Sequence, residues 1–179
     1  MALVFMFQSL VAFLFLSTFL HKARNYRDHI RIMNAYQMVP TRFIVPSFIV
    51  FAAAELAIGL STFLNGSTVY HAVSICSLLS IYTIAIGFNL MRGHRHIQCG
   101  CGGILENEQL HWGLVLRNLL LSCSVVLLWK FQSSYAGEIA LLHKLELLML
   151  SLILFSLLYL FKDLFQIKKK LVHLMKMLI

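Results

Sequence analysis

Two cysteines one residue apart stand in the stretch Arg92-Gly93-His94-Arg95-His96-Ile97-Gln98-Cys99-Gly100-Cys101-Gly102-Gly103, among two arginines and two histidines. Positive neighbours favour thiolate over thiol and so make a cysteine a better nucleophile at neutral pH. That pattern describes a redox-active dithiol, with Cys99 and Cys101 as the exchanging pair and Arg92, His94, Arg95 and His96 in support. A disulfide closed across a single glycine has to bend away from relaxed geometry, and strained disulfides are the easily reduced ones. A metal site competes, because His94, His96, Cys99, Cys101 and His111 offer zinc-type donors. Cysteines in structural zinc sites are usually spaced more widely than Cys-x-Cys, so no metal is assigned. An unreactive glycine-rich loop is the third reading of the same residues.

A second pair of thiols, Cys76 and Cys123, lies in apolar surroundings where free cysteine commonly acts as a small buried hydrophobe. The two fall at similar depths in neighbouring apolar runs, so a second thiol station forms if those runs pack together. Glu55, Arg117 and Asn118 are polar residues inside apolar runs, where a charge costs a few kcal/mol and usually faces the bundle interior. A Glu55–Arg117 pair across the bundle is the simplest way to offset both costs. It serves either as a structural tie or as part of the wall of a substrate or quinone cavity.

The elements that must hold these residues are membrane helices. Of 179 residues, 60% are hydrophobic and 12% charged, against roughly 45–50% apolar in a soluble domain. Apolar runs of about twenty residues match the length an α-helix needs to cross a hydrocarbon core. They predict an all-α polytopic bundle with spans near residues 2–20, 43–64, 69–91, 112–131 and 139–161. The first run lacks the charged start and cleavage site of a secretory signal and is kept as an anchor. Residues 21–40 interleave charge with apolar side chains and predict a short interfacial helix, and the lysine-rich tail predicts an amphipathic helix on an anionic membrane surface. Small residues at Ala52, Ala53, Ala54, Ala57 and Gly59 allow the second span to approach its neighbours closely. No internal repeat or low-complexity segment stands out.

The net charge of +8 does not point to nucleic acid, because the basic residues collect between and after the spans. Twelve Lys and Arg fall on the side that holds the first loop, the Cys-Gly-Cys loop and the tail, whereas Lys130 and Lys144 belong to the other side. The positive-inside rule therefore puts the N-terminus outside and the Cys-Gly-Cys loop and the C-terminus in the cytoplasm.

Several motifs occur in order: Tyr36 and Pro40 before the second span, Ala54-Glu55-Leu56 and Gly59 within it, and Asn89-Leu90-Met91-Arg92-Gly93 closing the third. Cys99-Gly100-Cys101 follows, then Trp112 and Leu116-Arg117-Asn118 in the fourth. Together they resemble the methylamine-utilisation protein MauE family of DoxX-like, redox-associated membrane proteins. The likeness covers residues 1–131 as a four-helix domain, with 132–179 as an additional span and basic tail. The resemblance implies a multi-pass protein of the cytoplasmic membrane that assists maturation of a client like the methylamine dehydrogenase small subunit. By similarity to vitamin K epoxide reductase-like enzymes it also implies a quinone as candidate electron acceptor. Gln98 and Gly102 depart from the acidic and aromatic residues that tend to flank the family's cysteines. Thiol–disulfide exchange is the leading function, with a non-enzymatic scaffold for processing or export and a metal-handling protein as rivals. The inherited client is periplasmic, whereas the charge count places the dithiol loop on the cytoplasmic side.

Overall fold

The computed structural model describes residues 2–65, 69–94, 96–100, 109–134 and 141–178. They form six helices, α1 (Ala2–Arg24), α2 (Tyr26–Ala35), α3 (Thr41–Asn65), α4 (Val69–Met91), α5 (Trp112–Ser134) and α6 (Leu141–Leu178). Four helices among the described residues, α1, α3, α4 and α5, are long and apolar enough to cross a membrane. Each is apolar nearly all round, as expected where one side faces other helices and the other faces lipid rather than water.

The predicted fifth span is part of α6. Its apolar portion, Leu145–Phe161, is shorter than the other four and lies near the lower limit of about 17 residues for a crossing. The basic tail is not a separate helix, because α6 continues without a break to Leu178. Of the interfacial helix predicted for residues 21–40, residues 21–24 instead extend α1 and 26–35 form α2, which turns His29 and Ile32 inward and leaves Arg27, Asp28 and Arg31 exposed.

Helix α1 packs along α3 and also receives α6, while α4 packs along α5. The α1–α3 contact depends on Gly59, where an added Cβ would lie 2.9 Å from Leu16 Cγ and 3.4 Å from the Leu16 backbone nitrogen. The small-residue expectation therefore holds at that position. Val11 and Phe15 of α1, Ile58 of α3, Ile75 and Leu79 of α4 and Val125 of α5 build the main buried cluster.

The end of α4 shows why its sequence stops there. Gly93 has φ +81°, a backbone region that costs other L-residues. Its N–H donates to the Leu90 carbonyl at 3.0 Å and the His94 N–H donates to the Asn89 carbonyl at 3.0 Å. This double return satisfies carbonyls the helix would leave open. It also turns the chain abruptly into the Cys-Gly-Cys segment.

Candidate functional site

The charges inside the bundle do not pair as the sequence suggested. Glu55, 1% exposed on α3, accepts from Lys22 Nζ of α1 at 2.5 Å and from the Tyr82 hydroxyl of α4 at 2.6 Å, both at Oε1. Lys22 also donates to the Tyr82 oxygen at 3.0 Å, and its ammonium lies 4.8 Å from that ring's centroid. Arg117 instead donates to Oδ1 of its neighbour Asn118, at 3.3 and 3.4 Å. The expected Glu55–Arg117 pair is thus replaced by Glu55–Lys22. The reason is helix pairing: α3 packs on α1, while α5, which carries Arg117, packs on α4.

Lys22 belonged to a loop in the sequence reading because the apolar run ends at Leu20. The helix continues to Arg24, so a four-carbon stem can run back along the apolar surface and carry its charge inward. Tyr82 gave little signal, being one tyrosine in an apolar run, though a buried phenol does need a partner.

Beside this cluster is a cavity of about 280 Å³, bounded by Lys22 of α1, by α2, α3 and α4, and by Gly100. Lys22, Tyr82 and His29 line it together with Tyr36, Met38, Phe48, Phe51, Ile86 and Gly100. Its walls are apolar and aromatic, with the ammonium of Lys22 as the charged group among them. Two of the three N–H bonds of that ammonium are directed at Glu55 and Tyr82, which leaves a third donor for an acceptor in the cavity.

His29 is 2% exposed and its ring lies 5.9 Å from that of His21 and 6.4 Å from that of Phe48. Nδ1 is 3.2 Å from the Asn25 carbonyl, which can only accept, so this nitrogen carries the proton. Burial, reinforced by nearby Lys22 and His21, pushes the pKa down to about 4, against the opposing pull of the Asn25 carbonyl and Asp28. His29 is therefore a neutral imidazole at physiological pH.

The Cys-Gly-Cys segment is tied back to the bundle. Gln98 and Gln109 form an antiparallel bridge, and the Leu110 N–H donates to the Ile97 carbonyl at 3.1 Å. Cys99 follows this tie and is 1% exposed, in a cluster with Ile86 and Leu90 of α4, Leu110, and Leu114 of α5. Gly100 lies so close to α2 that an added Cβ would meet Ile32 Cγ2 at 2.9 Å, and its N–H is 3.5 Å from the Tyr36 hydroxyl. Cys101 and Arg95 fall outside the described residues.

The other sequence neighbours of Cys99 point elsewhere. The Arg92 guanidinium lies 4.5 Å from the Phe88 ring centroid, His94 Nδ1 is 3.4 Å from Asn89 Oδ1, and His96 is exposed. Among the described residues no three His, Cys, Asp or Glu side chains gather as a metal site. The α4–α5 contact does bring the other thiols near each other: Cys76 Sγ is 3.8 Å from the Ser122 carbonyl, one residue before Cys123, while Cys123 itself is exposed.

Fold and site together define a multi-pass helical membrane protein with a buried ionic cluster and an apolar cavity that reaches a Cys-Gly-Cys segment. The sequence profile of the methylamine utilisation protein MauE family matches residues 1–130, and the chain belongs to that family. It is similar to the methylamine utilization protein MauE of Paracoccus denitrificans, 28% identical over 112 residues that cover 63% of this chain and 60% of that protein. With its counterpart in Paracoccus versutus it shares 25% identity over 115 residues, 64% of this chain and 62% of that protein. The chain thus aligns with about three fifths of the length of these curated relatives. No solved structure matches it.

Proposed function

We propose that this protein is a thiol–disulfide redox component of the cytoplasmic membrane that assists maturation of a client resembling the methylamine dehydrogenase small subunit. Cys99 and Cys101 are the exchanging pair, and a lipid-soluble quinone is the electron acceptor. Gly100 carries this reading, because it sits between the two cysteines in sequence and in the cavity wall in space. A cavity of about 280 Å³ is at the small end of ligand pockets, which run from roughly 300 to 1,000 Å³. That suits a single ring with short substituents. The residues fit such a group, since aromatic walls would flank the ring and the third Lys22 N–H would meet a carbonyl oxygen.

A bound quinone would supply a two-electron, two-proton sink, so that two thiols become one disulfide. The protein's own part is to hold Cys99 away from water, to fix the position of Lys22 Nζ through Glu55 and Tyr82, and to close the cavity with α2. Exclusion of water also protects a reactive sulfur from competing oxidation.

Cys99→Ser and Cys101→Ser variants are each expected to stop client maturation and to abolish any change in cysteine oxidation state when a quinone is added to the purified protein. Full maturation in both variants would sink the redox reading in favour of a scaffold. Bound zinc that disappears with Cys101→Ser would favour metal handling. The proposed topology, N-terminus outside and dithiol loop cytoplasmic, is best tested at exposed His96. In intact cells, a membrane-impermeant thiol reagent is expected to leave His96→Cys unlabelled, and rapid labelling there would reverse the orientation.

A further inference from the structure

Helix α6 carries a feature that neither the cavity nor the thiols use. From Leu150 onward, Ile153, Leu157 and Leu160 recur at alternating steps of three and four residues. The same alternation crosses into the basic tail through Leu164, Ile167 and Leu171, and by sequence continues to Leu174 and Leu178. This is the a/d pattern of a coiled coil, with leucine or isoleucine at every position. Flanking apolar residues hide it in the linear sequence.

The seam faces away from the bundle. Leu150, Ile153, Leu157 and Leu160 are 51–57% exposed, and Leu164, Ile167 and Leu171 are 57–66% exposed. Contact with α1 uses the other side of α6, where Ser151 is fully buried and the Phe155 ring lies 6.0 Å from that of Phe13. At about 100° per residue, that face is rotated roughly 150° from the a/d seam. A partner can therefore lie along the seam without displacing α1.

We propose that the seam of α6 pairs with α6 of a second copy of this chain as a parallel coiled coil. Copies inserted with the same orientation present their helices in parallel, as the geometry requires. By position in the heptad, Asp163 stands at g and Lys168 at the following e, and these are the positions that face each other across a parallel pair. Two such acid–base pairings arise by symmetry. Lys162, Lys169 and Lys176 all fall at f, the outermost position.

The tail is where pairing has a driving force. Apolar side chains gain little from association within lipid, but they do in water. The apolar part of α6 ends at Phe161, so Leu164, Ile167 and Leu171 lie beyond it in the lysine-rich segment. A tail lying flat on the bilayer would need a bend between the two parts. Instead α6 is one unbroken 38-residue helix, a rod of about 57 Å in which the tail continues along the axis of the apolar part.

The test is photo-cross-linking of the full chain in native membranes, with p-benzoylphenylalanine replacing Leu164 or Leu171 on the seam, or Lys169 at f. The seam positions are expected to give at least about fivefold more cross-linked dimer than position 169, joined α6 to α6, because only a and d side chains enter the partner's holes. Equal yields at all three positions, or adducts to lipid alone, would overturn the pairing. Charge exchange supplies an independent arm. Lys168→Asp should lower dimer yield at position 164, and adding Asp163→Lys should restore it; failure to restore would exclude the parallel register.

Discussion

Two regions that meet at one cavity invert each other's surroundings. Glu55 is embedded in the apolar run of α3 and yet ends against an ammonium and a phenol. Cys99 is embedded in the most polar loop of the chain and yet ends among leucine and isoleucine. In the first region helix packing gathers polar groups that sequence scatters over three helices. In the second, a backbone bridge and a helix-ending turn lift one side chain out of polar company into the core. What surrounds a group in sequence thus predicted its surroundings in space in neither region.

The contrast makes the ionic cluster the more sensitive side. Removing one member of a buried ion pair typically costs about 3–5 kcal/mol, because the other charge is left without compensation, whereas removing both together is often nearly neutral. Lys22→Met alone and Glu55→Met alone should therefore lower thermal stability in detergent sharply, and the double variant should recover most of the loss. If the two single effects simply add, the pair is not coupled and the cluster is not the tie between α1 and α3. On the thiol side, Leu110 closes the cluster over Cys99 at 2% exposure. Leu110→Ala should cost about 2–4 kcal/mol and raise the rate at which maleimide alkylates Cys99 in the folded protein. An unchanged rate would mean that this leucine does not control access to the sulfur.

The bundle was legible because helix length and apolar runs follow directly from bilayer thickness, and family membership because motifs such as Ala54-Glu55-Leu56 and Asn89 to Gly93 keep their order. Partner choice was not legible. The sequence showed that Glu55 needs a cation, but not which helix would supply one. Arg117 lay in a span and Lys22 past the end of an apolar run, so counting hydropathy selected the wrong base. The position of Cys99 depends on a long-range bridge between Gln98 and Gln109, and neither residue signals a strand. The heptad of α6 was present in the letters throughout, but it became meaningful once its seam proved to lie on the broad surface of α6 that α1 leaves uncovered.

His29 adds the smallest of these effects and the one that depends on pH. Its ordinary pKa of 6.5 falls to about 4 in the folded protein, so between those values the unfolded chain binds more protons than the folded one. Stability from this residue is therefore fully present above pH 6.5 and is lost as pH falls toward 4. At pH 5 the loss relative to neutral pH is at most about 2 kcal/mol from this one group. His29 is the buried α2 residue that lines the same cavity as Lys22 and Tyr82, with Lys22 and His21 opposing its protonation and Asp28 favouring it. Acidification should therefore loosen α2 before it disturbs α1 and α3, and the first sign should be a rise in the maleimide rate at Cys99 relative to a free thiol at the same pH, because thiolate is the reacting form and α2 covers the neighbouring Gly100 through Ile32 and Tyr36. The variant His29→Gln keeps a polar side chain without the titration and should flatten both the stability profile and the alkylation rate relative to a free thiol between pH 7 and pH 5. If wild type and variant lose stability in parallel across that range, acid sensitivity resides elsewhere and α2 is not held by a neutral imidazole.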